Sequence, residues 1–504
     1  MLSELRELLQ SDESVGSDSG EGESTAVPAA GLCAETVWDS DSEEDFGSSS
    51  GSRTVLDSPW YQWAAARRAQ FGVQGAPLSL VTLCSGTDTA AHALKDLLGP
   101  DNVAVHLAVD HDEAAKRFVL LNSRPMHFFD EMKDMNDSGG ACCAVCGEGC
   151  EAASSPCDIC VATIPCQPFS VLNQNRFQLD YDPMATVEAQ PFFQLVDWLA
   201  RSPSPPGIVV VENVQGMALR SRAWEQQSPI DFVLHGEVPQ ANGGMRKVGL
   251  ADMERYWTAP VFHFSAAECG LPLARHRIFI IMLRKDLYTV GDMNKLEKNL
   301  AELKRQTLRS EPIENFLVTD ESADELPRTG KKQRTVIYQN KKADEFRRAR
   351  GLPPRSARNG QPFTMNMDAS QWHLLSDEQR ERCDIAHLLA QKVEPTKFDA
   401  QKLAIDASKG PGMAQWKTDG RIPSLSTNSK IAYAGRVLGH RCLFKIMGWQ
   451  DDSYSLPEAL SGNTIQRLLG NMLCPPVIGS VCAAVLAVDK RYRLAPAKVE
   501  DTTG

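Results

Sequence analysis

The segment TIPCQPFS places one thiol, Cys166, between Pro165 and Pro168, immediately after an apolar run. The two prolines restrict φ and stiffen the loop that carries the thiol. A thiol held this way suits a nucleophile, because the attacking thiolate must meet its electrophile in one orientation. A turn that contains a small hydrophobe is the plain alternative. Two other segments offer groups that a nucleophile needs as partners. GIVVVENV ends in Glu212 and Asn213. A buried carboxyl has a raised pKa and can hold a proton for delivery; a strand-end acid that caps the next helix is the alternative. PLARHRIFII carries Arg275 and Arg277, and positions i and i+2 of a strand share one face.

These residues stand at the ends of elements. Leu78–Gly86 reads as a strand ending in glycine, and TDTAAHALKDLLG as a helix closed by Gly99. Val103–Asp110 reads as a strand ending in an acid, followed by the helix HDEAAKRFVLLN. CDICVATIP, PGIVVVENV and RIFIIML read as further strands, and EAQPFFQLVDWLARS as a helix. SPWYQWAAARRAQFG reads as a helix capped by Ser58, with Pro59 at its first position. The C-terminal GNTIQRLLGNMLCPPVIGSVCAAVLAVDKRY gives two helices bridged by a proline pair. Alternating strands and helices predict an α/β fold, a mostly parallel sheet with helices on both faces. Such sheets bind ligands beyond the carboxyl ends of their strands, where Gly86, Asp110, Cys166 and Glu212 all fall.

The chain of 504 residues has a net charge of −12, and residues 1–50 carry all of it, with 13 acids and one base, Arg6. The balanced remainder therefore leaves a nucleic-acid partner open. Residues 1–55, rich in Ser, Gly, Asp and Glu, lack the apolar surface to offset ordering and predict a disordered acidic tail. A solvated tail is the plain reading; one that binds proteins or is phosphorylated is the alternative. No secretory signal and no long uncharged apolar run is visible, so no membrane partner is expected. The 14 cysteines then read as thiols, metal ligands or catalysts in a reducing compartment. Within an insertion at 139–160, Cys143-x2-Cys146 and Cys157-x2-Cys160 have the spacing of a four-thiolate zinc site. Cys157 and Cys160 also open a strand, where buried thiols are common. Arg328–Arg358 holds 11 Lys/Arg against two acids, enough to neutralise phosphates; a solvated loop or import signal is the alternative.

Taken in order, CSGTDTAAHAL, PCQPFS, VENVQGM, GLPLARHRIFII and LLGNMLCPPVIGSV resemble the cytosine-C5 methyltransferases that use S-adenosyl-L-methionine. The resemblance implies a Rossmann-like methyltransferase sheet with a smaller target-recognition domain. It gives a catalytic domain over 56–290, a target-recognition domain over 291–420 and a C-terminal return over 421–495. It implies that Cys166 attacks carbon 6 of a cytosine flipped out of duplex DNA, which makes carbon 5 reactive. Glu212 would serve ring nitrogen 3, and Asn213 would hold the Cys166 loop. Arg275 would reach the base carbonyl, with Arg277 in support. For the cofactor, it implies Cys84, Ser85, Gly86 and Thr87, Asp110 on the ribose, His111 beside it, Asp130 on the adenine amine, Pro165, and Asn471 returning to the pocket. The segment Pro423–Lys430 resembles the family's buttress for the target-recognition domain. The chain departs from the family pattern in three places. Leu273 replaces a glutamine, Cys84 replaces an aromatic, and Asp88 and Thr89 replace two glycines, so that Thr87 or Asp88 is expected to cap the following helix. RNA, transfer RNA in particular, is the alternative substrate, and a catalytically inactive nucleic-acid-binding protein is the third reading. The acidic tail points to the nucleus.

Overall fold

The computed structural model describes residues 76–489, apart from 137–140, 151–154, 179, 221–226, 241–242, 319–340, 342, 355–373, 397, 410–414 and 459, together with Gln62, Ala65, Ala66 and Arg491. The expected acidic tail lies outside the described residues. So does the Ser58 helix, apart from the helical Gln62, Ala65 and Ala66.

Eight strands form the main sheet: β1 (Leu78–Leu83), β2 (Val103–Val109), β3 (His127–Phe129), β4 (Ile159–Ala162), β5 (Ile208–Val214), β6 (Tyr256–Thr258), β7 (Phe262–Ser265) and β8 (His276–Arg284). Their order is β6-β8-β5-β4-β1-β2-β3, with β7 also paired to β8. The β1–β5 pairings are parallel, and β8 runs antiparallel to β5, β6 and β7. The central strands are apolar along their whole length because both faces are covered. Ile208, Val210, Phe279 and Ile281 enter one core, while Val209, Val211, Ile278 and Ile280 enter the other.

Helices α1 (Thr89–Leu98) and α2 (Glu113–Asn122) pack on the first face, and α3 (Gln190–Arg201) and α4 (Pro229–His235) on the second. Helix α5 (Val290–Arg305), which the sequence reading placed in the target-recognition domain, also belongs to the first face. Its Met293, Leu296 and Leu300 are buried in the sheet's core. The 290/291 boundary therefore cuts a helix away from the core that it packs on.

A second core gathers Leu374, Leu375, Leu403, Ile405 and residues of α6 (Asp377–Val393). It also lines a four-stranded sheet made of Ala404–Asp406, Gln415–Lys417, Ile431–Tyr433 and Arg436–Val437. The expected 420/421 boundary falls inside this sheet. Ile431 and Tyr433 face the main core while Ala432 faces the second, so one short strand serves both units. Helices α7 (His440–Ile446), α8 (Gly462–Asn471) and α9 (Pro475–Leu486) return to the first face. On length and composition alone, Gly462–Leu486 passes for a membrane span. It is two helices, broken at residues 472–474, and 89% of its most apolar window is buried.

Candidate active site

β4 and β5 run parallel, so the loop after Ala162 and the end of β5 emerge side by side. Asn213 Nδ2 donates to the Ile164 carbonyl at 3.1 Å and ties the Cys166 loop to β5. The amides of Phe169 and Ser170 donate to the Cys166 carbonyl at 3.0 and 2.9 Å, closing a turn around the thiol. Arg176, which the sequence reading missed, clamps this turn from below. Its guanidinium is buried and donates to the carbonyls of Phe169, Gly216 (2.7 Å) and Leu219. A Cβ on Gly216 would lie 2.2 Å from the Phe169 carbonyl oxygen, so only glycine admits this approach. A buried arginine aimed at three carbonyls has no local sequence signature.

Glu212 and Arg277 lie on the same face of adjacent antiparallel strands, because Arg277 stands opposite Val214, two residues from Glu212. Arg277 Nε meets Glu212 Oε1 at 2.7 Å, and both are buried. Burial raises the Glu212 pKa, against the pull of Arg277 and Arg275. Burial also raises the Cys166 pKa; Arg277 and Arg275 oppose it, and Glu212 adds to it. One thiol, one carboxyl and two guanidinium groups therefore act on one another at a single strand end. The two arginines take different partners. Arg277 holds Glu212, whereas Arg275 donates to the carbonyls of Leu425 (2.9 Å), Gly470 (3.0 Å) and Met472. Arg275 precedes the strand and turns back toward the C-terminal return, which it fastens to the sheet. Leu273, standing where the family pattern has glutamine, is fully buried in the main core.

The loop after β1 turns sharply. Cys84, Gly86 and Asp88 all have left-handed backbones, with φ of 53°, 56° and 51°. Two of the three are not glycine, which marks a loop held in a costly conformation by its surroundings. Asp110 Oδ2 accepts the Gly86 amide at 2.7 Å and Oδ1 accepts the Asp112 amide at 2.8 Å. The acid expected to meet a ribose is thus the brace of its own loop, with one further lone pair on each oxygen. Burial raises its pKa. Ser85 Oγ donates to the carbonyls of Thr82 and Val109 at 3.0 and 3.1 Å, joining β1 to β2. Thr87 Oγ1 lies 3.0 Å from Thr89 Oγ1. Neither Thr87 nor Asp88 caps α1. Asp88 holds the N-cap position without a side-chain cap; its carboxylate is buried, and Ser123, Thr82 and the Ala91 amide stand near enough to favour its charged form without closing a well-formed hydrogen bond.

Other expected contacts are partly spoken for. Cys84 Sγ lies 3.6 Å from Met132 Sδ. Asp130 is exposed and paired with Lys116 at 2.7 Å, so its carboxylate already has a cation. His111 is exposed, and Asp112 beside it caps α2 through the Ala114 amide at 2.8 Å. Asn471 ends α8, with its carbonyl oxygen 4.0 Å from where a Gly86 Cβ would stand. A small cavity under this loop is lined by Thr82, Ser85, Asp88 and Thr163 and closed by residues 471–473. An open glycine, a buried carboxylate and the braced Asp110 at the ends of β1 and β2 fit an adenosyl ligand here.

The expected zinc quartet is not brought together. Cys157 and Cys160 are buried in the second sheet core, and the thiols of Cys143 and Cys146 meet different partners. In the basic run, Arg347 is buried, with its Nε 2.6 Å from Glu381 and a second pair to Asp384. Arg350 is buried as well, so neither is placed for a phosphate, whereas Lys341 and Arg348 are exposed.

Residues 256–487 match the family model described as C-5 cytosine-specific DNA methylase. The comparison with curated proteins gives no match. Among solved structures, the chain is similar to the S. pombe Dnmt2 methyltransferase, at 14% identity over 81% of this chain and 98% of that one, with a TM-score of 0.40. It is also similar to the Entamoeba histolytica methyltransferase EhMeth, at 11% identity over 82% and 98%, with a TM-score of 0.42. A putative DNA modification methyltransferase encoded within an E. coli prophage matches at 16% identity over 82% and 99%, with a TM-score of 0.42. Residues 256–487, which take in Arg275, Arg277 and Asn471, thus carry a C-5 cytosine-specific DNA methylase domain match.

Proposed function

We propose that this chain methylates carbon 5 of cytosine in duplex DNA through a transient bond between Cys166 and carbon 6 of a flipped-out base. The observation that carries the proposal is the buried Glu212–Arg277 pair, at 2.7 Å, acting on the Cys166 thiol from the next strand end. The thiolate attacks carbon 6, and the ring electrons move toward nitrogen 3. Glu212, whose pKa is raised by burial, offers its proton there. Arg277 holds that carboxyl in place and sets positive charge beside the developing negative charge. Carbon 5 then becomes nucleophilic. Gly86, Asp110 and the Asn471 end of α8 would hold S-adenosylmethionine, which would supply the electrophilic methyl group and leave as the neutral thioether. Loss of the carbon 5 proton to a base expels the Cys166 thiolate and restores the ring. Asn213 and Arg176 keep the thiol loop fixed throughout.

The family description favours DNA, as do the exposed Lys341 and Arg348 of the second unit. The test incubates the full chain with labelled S-adenosylmethionine and either duplex DNA or transfer RNA. Label in DNA, absent in Cys166→Ala, supports the proposal, as does a covalent adduct with an oligonucleotide bearing 5-fluorocytosine. Label in transfer RNA alone overturns the DNA assignment. No label in either overturns the activity.

A further inference from the structure

The mechanism uses none of the cysteines between β3 and β4. The hairpin of Ala141–Cys143 and Gly147–Cys150 lies against β3, with the Ala144 amide donating to the Phe128 carbonyl at 2.8 Å. Gly147 has φ of +89°, which lets the chain reverse directly after Cys146. The reversal brings Cys143, Cys146 and Cys150 around one point, and His127 of β3 completes the group. His127 Nδ1 lies 3.3 Å from Cys150 Sγ, 3.4 Å from Cys146 Sγ and 4.0 Å from Cys143 Sγ. All four donor atoms fall within 4.8 Å of one another.

We propose that His127, Cys143, Cys146 and Cys150 bind one structural zinc ion. Tetrahedral bonds of about 2.3 Å to sulfur and about 2.0 Å to nitrogen separate the donors by roughly 3.5–3.8 Å; the nitrogen–sulfur distances found, 3.3–4.0 Å, bracket that range, and a small inward shift of the sulfurs closes the widest gap, at most 4.8 Å. Three sulfurs and one imidazole are a donor set that selects zinc over harder cations. The surroundings are built for a ligating sulfur as well. Cys143 Sγ accepts the amides of Phe128, Val145 and Cys146 at 3.3, 3.4 and 3.5 Å. Such outer hydrogen bonds orient and stabilise a ligating thiolate. On binding, the three thiols release their protons to solvent and no ligand position remains for water, so the ion has no catalytic role. Its work is to staple the cysteine-rich insertion to β3, the edge strand of the sheet. That strand runs directly into Asp130 and Met132, beside the loop after β1.

The test measures metal content in the purified full chain after dialysis, and the spectrum after exchange with Co²⁺. The wild type is expected to hold about one zinc per chain, and the cobalt form to show the intense visible bands and thiolate charge transfer of a tetrahedral site. Cys146→Ser and Cys150→Ser are expected to retain less than about a tenth of the metal, whereas Cys142→Ser and Cys157→Ala retain it in full. Cys142 and Cys146 are both exposed, so that pair separates ligation from folding. A wild-type chain without zinc whose cobalt form shows only the pale spectrum of the hydrated ion overturns the proposal. So does metal that survives Cys146→Ser and Cys150→Ser but leaves with Cys157→Ala.

Discussion

The two halves of the active site are held by opposite means. At the ends of β4, β5 and β8, side chains reach for backbone carbonyls or for one another: Asn213 for Ile164, Arg176 for Phe169 and Gly216, Arg277 for Glu212. At the ends of β1 and β2, backbone amides reach for one carboxylate, Asp110, and the loop so braced keeps three left-handed residues. The first half is positioned by buried cations and tolerates almost no change in their length or charge. The second hangs on the Asp110 carboxylate and the Ser85 hydroxyl, both bonded to backbone groups, so its fixing contacts call on few side chains besides those two. Cys84, Asp88 and Thr89 depart from the expected pattern in the second half, and Leu273, in the segment that leads to Arg275 and Arg277, departs from it in the first.

The comparison can be broken most directly at the two thiols. Cys166→Ala is expected to lower kcat by about 10³-fold or more, and Cys84→Ala to raise the KM for S-adenosylmethionine by about tenfold with kcat retained. Initial rates with labelled donor decide; an equal loss of kcat in both would erase the division. The two arginines come next. Arg277→Ala leaves Glu212 buried without its cation and is expected to lower kcat by about 10²-fold. Arg275→Ala strips three carbonyls of one donor and is expected to cost about 2–4 kcal/mol of stability, read by chemical denaturation.

The pH profile sharpens the first half. Both pKa values are raised by burial, and the proposed reaction needs the Cys166 thiolate together with the Glu212 acid. Between the two pKa values the gain in thiolate cancels the loss of acid, so kcat/KM of the wild type is flat. In Glu212→Gln no acid is lost, and kcat/KM is expected to climb about tenfold per pH unit across the same window. The two backbone crossings give a smaller effect. A Cβ on Gly216 meets the Phe169 carbonyl at 2.2 Å, and one on Gly470 meets the Thr427 amide at 2.3 Å. Each alanine variant is expected to lose about 1–3 kcal/mol, with Gly216→Ala lowering kcat and Gly470→Ala raising the donor KM.

The smallest effect is at Asp88, whose pKa is raised by burial. A raised pKa in the folded state means stability present at low pH and lost as pH rises through that pKa. Asp88→Asn removes the loss, so its melting temperature at pH 8 is expected to exceed that of the wild type by on the order of 2 °C, with no gain at pH 4.

Apolar runs such as IVVV and IFIIM can be satisfied only by a sheet covered on both faces, and the strand-end residues could be read directly from where those runs stop. Other features were not legible because they depend on segments far apart in the chain. Spacing paired Cys143 and Cys146 with Cys157 and Cys160, yet the last two enter the core with β4, while His127, 16 residues before Cys143, takes their place in the cluster. Composition read Arg347 as a phosphate contact, yet Glu381 and Asp384 of α6 bury it.

What the amino-acid order alone determined is the sheet, the strand ends and the residue types at those ends, because strand and helix periods are local properties. Only the tertiary structure decided which arginine serves Glu212, which oxygens Asp110 has left, and which four side chains surround one point. A guanidinium, a carboxylate or a thiol takes the nearest partner that its burial demands, and that partner is set by packing across hundreds of residues.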